Sequence, residues 1–354
     1  MENRTLYDFD DLLIEPATIS KIKSRSEINS RNIYGELPLM TAPMDTVVGE
    51  NNFHLFKKKG ILPVLPRIQN PNSDWVDTNI FLSYSLQDFE KIFLQNKVNV
   101  SNGSRILSLI DVANGHMEVL YEMAKEAKKR YGYSMCLMVG NVATPETFQK
   151  YCNINVDMVR IGIGNGNGCL TTVQTGVGYP MASLIKECCD IQRKRNFMGI
   201  QSPYKTEIIA DGGFKKYSDI IKGLALGADY VMLGSILNKC LESAGETIED
   251  EGIKINQYHE DAKTMFHGEL NLYKTFRGMS TKDVQKSWGK EELTTSEGVV
   301  RKHKVEYTLD GWVKNFEDYL KSAMSYTDKK ELHHFIGGVK FNLISQSSFR
   351  RFDK

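Results

Sequence analysis

The sequence predicts a single (β/α)8 barrel. Eight short apolar runs recur along the 354 residues, and amphipathic stretches rich in Lys and Glu lie between most of them. Runs of this length, apolar at nearly every position, suit strands buried on both faces, as the strands of parallel sheets are. Strands that alternate with helices then give the barrel, and an α/β barrel reaches this length as one unit with one core. A doubly wound open sheet is the competing architecture. It would need a GxGxxG turn opening a helix after an early strand, and the glycines at 162, 164, 166 and 168 do not have that spacing.

In chain order the strand runs are "LPLMTAP" (37–43), "GILPVLP" (60–66), "NIFLSYS" (79–85), "RILSLIDVA" (105–113), "MCLMVGNV" (135–142), "MVRIGIG" (158–164), "TEIIADGG" (206–213) and "YVMLGS" (230–235). The helical stretches include "MEVLYEMAKEAKKRY" (117–131), "PETFQKYC" (145–152) and "KYSDIIKGLALGA" (216–228). The loop after the sixth strand is long, and its first part, 164–180, is the expected active-site loop. A second, polar extension follows the eighth strand, from about Glu246 to Asp310, as an expected flap. Barrel enzymes place their chemistry in loops at the C-terminal ends of the strands, where both extensions fall. The whole of 1–354, including a short N-terminal extension, is thus expected to be one catalytic domain.

Charge excludes some partners. Lys plus Arg (45) nearly cancels Asp plus Glu (44), so no global field attracts nucleic acid or an anionic membrane surface. No 18-residue apolar run occurs, and "MENRTLYDFDDLL" is unlike a signal peptide; neither a membrane partner nor export is expected, and a cytoplasmic location is. Six scattered cysteines (136, 152, 169, 188, 189, 240), without a CxxC pair, indicate neither a disulfide framework nor a zinc site. An anionic ligand must therefore be held locally.

The segment "RIGIGNGNGCLTTVQTGVGYP" (160–180) sets glycine at every second position up to Gly168, directly before Cys169. Glycines admit positive φ and let backbone groups approach a ligand closely. They suit an anion or a planar ring, or carbonyls converging on a cation. Cys169, on a loop at a strand end, is the candidate nucleophile, and a structural thiol in a glycine-rich turn is the alternative. Cys136, Cys188 and Cys189 fall in a strand and a helix and read as structural. "IIADGG" ends a strand with Asp211, an acceptor for sugar hydroxyls, followed by Gly212 and Gly213. "VMLGS" repeats the arrangement with Gly234 and Ser235 before a helix. Glycine turns after strands seven and eight form phosphate sites in barrels. From the residues alone, Thr171 and Thr172 are ordinary hydroxyls, Glu297 a solvated loop residue, and "HH" (333–334) and "RR" (350–351) surface features.

Taken together, "YDFDDLLIEP" (7–16), "KSRSEI" (23–28), "APMDTV" (42–47), "DVANG" (111–115), "GNVAT" (140–144), the glycine and cysteine loop, "ADGG" (210–213), "GADYVMLGS" (227–235), "ESAGE" (242–246) and "RGMS" (277–280) resemble the family of IMP dehydrogenases and GMP reductases. The resemblance implies a (β/α)8 barrel, a homotetramer, a purine nucleoside 5′-monophosphate and a nicotinamide cofactor. Most IMP dehydrogenases insert paired CBS modules between the second and fourth strands, whereas about 40 residues separate Pro66 from Arg105 here. The Arg-Tyr pair of the dehydrogenase flap is missing between Met279 and Glu297. Both features, with "TGVGYP" and "FIGGVKFNLIS", favour the reductase branch, in which NADPH reduces GMP to IMP with loss of ammonia. A dehydrogenase without CBS modules, using NAD and potassium, and a diverged relative that senses or acts on another purine nucleotide are the alternatives.

The resemblance makes Cys169 the residue that attacks purine C2, with Thr171 and Glu297 handling the proton of the departing amine. It places the ribose on Asp211 and the phosphate on Gly213, Gly234, Ser235 and the position of Asn167. Met279, Ser280 and Gly298 fall at the base, Asp111, Asn114 and Arg67 at the cofactor, and the carbonyls of Gly164, Gly166 and Cys169 at a possible K+. Three positions depart from the family pattern. Asn167 stands where a serine is common, Thr294 where the reductase flap has arginine, and Leu65-Pro66-Arg67 where a His-Lys pair is expected.

Overall fold

All eight apolar runs form strands: β1 (Leu39–Thr41), β2 (Val64–Leu65), β3 (Phe81–Tyr84), β4 (Ile106–Asp111), β5 (Met135–Val142), β6 (Met158–Ile161), β7 (Glu207–Asp211) and β8 (Tyr230–Leu233). The computed structural model describes residues 4–67, 80–96, 98, 100, 105–197, 205–268, 270–279, 281–287 and 298–352. The strands pair in parallel and in chain order, and β8 pairs back onto β1. A parallel bridge between Met40 and Leu62, just before β2, closes the barrel. The open-sheet alternative is thereby excluded.

Strand alternation accounts for each run being apolar throughout. Every strand contributes to the interior, through Met40, Val64, Phe81, Leu109, Met138, Met158, Ile209 and Met232, with Cys136 of β5 beside them. Their neighbours, among them Leu39, Leu65, Leu82, Ile110, Val139, Val159, Ile208 and Val231, face outward into the layer shared with the helices. Those helices include Glu118–Tyr131, Pro145–Asn153, Met181–Phe197, Tyr217–Leu226 and Leu309–Tyr326. The last of these starts at Thr308, whose side chain accepts the Gly311 N–H, and it buries Trp312, Phe316, Leu320 and Met324. Ahead of β1, Leu12–Ile14 pairs antiparallel with Phe341–Leu343, tying the first segment to the last. Among the described residues, no helix is long and apolar enough to cross a membrane.

The polar extension after β8 contains a second sheet. Strands β9 (Thr247–Glu249), β10 (Lys254–Ile255), β11 (Leu272–Arg277) and β12 (Val300–Lys304) pair antiparallel in the order β10-β9-β11-β12. In β11, "LYKTFR", the buried positions are Leu272, Lys274 and Phe276, so a lysine occupies an inward position and conceals the alternation. Lys274 Nζ donates to the carbonyls of Ser243 at 2.8 Å and Gly245 at 3.2 Å, stitching the sheet to the loop after β8.

Burial pushes the Lys274 ammonium down from 10.5 to about 7, against the opposing charge of Glu242. Below pH 7 both folded and unfolded chains hold this proton; between about 7 and 10.5 the unfolded chain alone holds it. Stability therefore gains from this residue as pH rises through that window. Thermal melts of the protein and of Lys274→Met from pH 6.5 to 9.5 should show the difference between them growing in favour of the parent. A constant difference would refute the shift.

Candidate active site

The glycines before Cys169 have distinct geometric duties. Gly162 and Gly164 have φ of +117° and +77°, and a Cβ on them would lie 2.4 Å from the Asp211 carbonyl oxygen and 1.8 Å from Thr172 Oγ1. Those two positions exclude any side chain. Further along, the Cys169 N–H donates to the Gly166 carbonyl at 3.0 Å, turning the chain so that the thiol faces the barrel mouth. Gly168 lies against the Phe276 ring, and its carbonyl accepts the Val299 N–H at 3.2 Å. A bridge between Cys169 and Gly298 completes the contact. The cysteine loop is thus seated on the flap sheet.

Cys169 Sγ donates to Thr171 Oγ1 at 3.2 Å. It is half-buried, whereas the other five cysteines are buried. Burial pushes the Cys136 thiol up to about 12 and Cys152 to about 11, and raises Cys188, Cys189 and Cys240 as well. Those five are structural thiols.

A cavity of about 430 Å³ opens at the C-terminal ends of the strands, beside Cys169 and Thr171. Gly164, Gly166, Asn167, Asp211, Gly213, Gly234, Ser235 and Met279 line it, as do Asp111 and Arg67. Gly212 and Gly213 take φ of +94° and +87°, and a Cβ on Gly212 would meet the Gly166 nitrogen at 2.8 Å, so the two loops are in contact. A Cβ on Gly234 would reach Met44 Sδ at 3.0 Å. Asn167, expected at the phosphate, lines the cavity while its Oδ1 accepts from Arg301 Nη1 of β12 at 2.9 Å. Asn114 does not line the cavity: it is exposed, and its Oδ1 accepts the His116 N–H at 3.1 Å. Ser280, Glu297 and Thr294 lie outside the described residues.

Two cavity residues escape sequence reasoning. Arg160 of β6 pairs with Asp111 and Asp211 at 2.9 and 3.1 Å. Asn141 of β5 donates from Nδ2 to Asp211 Oδ2 at 2.9 Å and to the Gly162 carbonyl at 2.7 Å. Their one signal is a single polar residue inside a run otherwise buried on both faces. Arg67 also faces Asp111, Nε to Oδ2 at 3.4 Å. The top interior layer thus alternates charge in the order Arg67, Asp111, Arg160, Asp211.

The Cys169 thiol, glycine turns after β7 and β8, and an acid at the end of β7 converge on this one cavity. The family model for the IMP dehydrogenase / GMP reductase domain matches residues 95–352. The chain belongs to this family. It is similar to GMP reductase 2 of Bos taurus, 32% identical with 87% of each chain covered. GMP reductase 2 of Homo sapiens is 30% identical, covering 98% of this chain and 96% of its own. A GMP reductase of Streptococcus gordonii is 27% identical over 93% and 92%. In family terms the cavity is at the usual place for barrel chemistry, outside the C-terminal strand ends.

Proposed function

We propose that the protein is a GMP reductase, an oxidoreductase that converts GMP to IMP with release of ammonia through a covalent adduct on Cys169. The observation that carries this reading is the half-buried Cys169 thiol at a cavity whose other walls hold Asp211, Gly213, Gly234 and Ser235. The relatives named GMP reductase match over nearly the whole chain, and the stretch from Met279 to Glu297 contains neither Arg nor Tyr. The latter speaks against the water-activating pair of a dehydrogenase.

In this reading Asp211 accepts from the ribose hydroxyls, and the backbone at Gly213, Gly234 and Ser235 receives the phosphate. Asn167, held by Arg301, closes that side with an amide. The Cys169 thiol passes its proton through the Thr171 hydroxyl, at 3.2 Å, to the Glu297 carboxylate, and the thiolate adds to C2 of the base. The C2–N bond then breaks, and the amine departs as ammonia with a proton delivered through Thr171 and Glu297. Met279, Ser280 and Gly298 hold the base over the sulfur. Adding and later expelling sulfur divides the replacement of amine by hydride into two easier steps.

Arg67 and Asp111, paired on the cavity wall, would meet a nicotinamide dinucleotide there, whereas Asn114 does not line the cavity and its Oδ1 is taken by the His116 N–H. When bound there, NADPH supplies the hydride that ends on C2. For a K+ ion held by the carbonyls of Gly164, Gly166 and Cys169, one carbonyl, that of Gly166, already accepts the Cys169 N–H, and no step requires the ion. A homotetrameric, cytoplasmic protein completes the reading.

Absorbance at 340 nm, with purified protein and each pairing of GMP or IMP with NADPH, NADH, NAD or NADP, tests it. GMP-dependent loss of NADPH absorbance is expected. NADH formation from IMP and NAD would transfer the protein to the dehydrogenase branch, and silence in all pairings would refute both activities.

A further inference from the structure

Strand alternation points Arg160 into the barrel, as it does Met158 two residues earlier, one layer nearer the cysteine loop. Its guanidinium reaches two carboxylates on strands that are not neighbours. Nη1 donates to Asp111 Oδ1 at 2.9 Å at the end of β4, and Nε pairs with Asp211 Oδ2 at 3.1 Å at the end of β7. The three side chains are only 11%, 12% and 20% exposed, and all line the cavity. Charge balance requires Arg160 at Asp211, where the Asn141 amide donates but carries no charge, yet not at Asp111, which Arg67 already faces; one guanidinium contacting both carboxylates is what it leaves unexplained. What Arg160 adds is rigidity. A guanidinium is a rigid plane, so shifting the carboxylate that Nη1 bonds shifts the whole group and with it the ion-pair contact of Nε to the other.

We infer that Arg160 is a positioning residue that couples the two sides of the cavity: a nucleotide ribose on Asp211 sets, through the guanidinium, the carboxylate of Asp111 on the side that receives the dinucleotide. The inference rests on the proposed reading of the cavity as a site for a purine nucleotide and a nicotinamide dinucleotide. Linkage then requires reciprocity. GMP must change the affinity for the dinucleotide by the same factor by which the dinucleotide changes the affinity for GMP.

The test is calorimetric titration of the full chain with GMP and with NADP, a pair that cannot react together, each alone and with the other saturating. The parent protein should show a mutual factor of about fivefold or more, equal in both directions. In Arg160→Gln the factor should fall to near one. Arg160→Lys keeps the charge and restores much of each single affinity, but one ammonium cannot reproduce the rigid plane, so the factor should stay near one. A residue that merely neutralises the carboxylates would weaken both ligands and leave the factor unchanged, and that result overturns the inference, as does a factor of one in the parent. Circular dichroism melts accompany each variant; should Arg160→Gln fail to fold, Arg160→Lys decides. Turnover of GMP with NADPH in the same preparation separates the two levels. Turnover in the parent with an undiminished factor in Arg160→Lys refutes the coupling alone, whereas a parent that binds neither ligand refutes the reading and the coupling with it.

Discussion

Replacing Cys169 with alanine should reduce GMP-dependent NADPH oxidation by about 10⁴-fold or more, the scale on which loss of a nucleophile is felt. The fold should be unaffected. Cys169 is half-buried, and its Sγ donates to the neighbouring Thr171 hydroxyl, so the substitution opens no cavity in the core. GMP binding, measured by calorimetry, should survive, because the groups proposed to hold ribose and phosphate belong to β7 and β8 rather than to the sulfur. Cys169→Ser should be nearly as inactive, since a hydroxyl is a far weaker nucleophile than a thiolate and its adduct a poorer one to expel. The same chemistry predicts selective alkylation. With five thiols buried and raised, iodoacetamide at pH 7.5 should label Cys169 first, and GMP should protect it. Measurable turnover in Cys169→Ala would remove the covalent route, and retained GMP binding would then show that the nucleotide site had been correctly placed.

The eight strands are legible in the sequence because a parallel barrel buries both faces of each strand, which leaves an unbroken apolar run in place of an alternation. The thiol and the two glycine turns are legible for a related reason, since side-chain-free positions beside a polar group at a strand end leave a pattern in the letters. The flap sheet is not. Its central strand β11 carries Lys274 at a buried position, and no periodicity rule expects a lysine whose acceptors are the Ser243 and Gly245 carbonyls, some 30 residues earlier in the chain. Arg160 and Asn141 show the same limit from the other side. Each is visible as a polar letter in an apolar run, but their partners, Asp111 and Asp211, come from other strands, and only the closed barrel brings them together. Asn114 is placed by resemblance near the cofactor, yet its side chain caps its own turn through the His116 amide. Local hydrogen bonding of an Asn in a turn competes with any ligand role.

The largest loss of stability is expected at the opposite end of β6, from Asp157→Ala. Asp157 directly precedes the strand and is buried at the N-terminal mouth of the barrel. Its Oδ2 accepts from Lys128 Nζ at 2.7 Å and from the Leu137 N–H at 2.8 Å, and its Oδ1 accepts from Arg105 Nη2 at 2.6 Å. Lys128 is 5% exposed on its side chain and donates as well to the Gly132 and Met135 carbonyls. Removing the carboxylate takes the contacting counter-charge from a buried ammonium, which costs about 3–5 kcal/mol in comparable cases. Arg105, with a side chain 44% exposed, can turn to solvent and contributes little of this. The double variant Lys128→Met, Asp157→Leu should lose much less than Asp157→Ala, because both charges of the pair then leave together. Urea unfolding at pH 7.5, with unchanged slope, measures both; a loss below about 1 kcal/mol in Asp157→Ala would place the pair with weak surface ion pairs instead. The KM for GMP should not move in variants that fold. Three residues further along the same chain, Arg160 faces the cavity, so one strand separates the two duties of a barrel: at its N-terminal end a charge pair whose loss is read in denaturant, and at its C-terminal end one whose loss is read in ligand affinity.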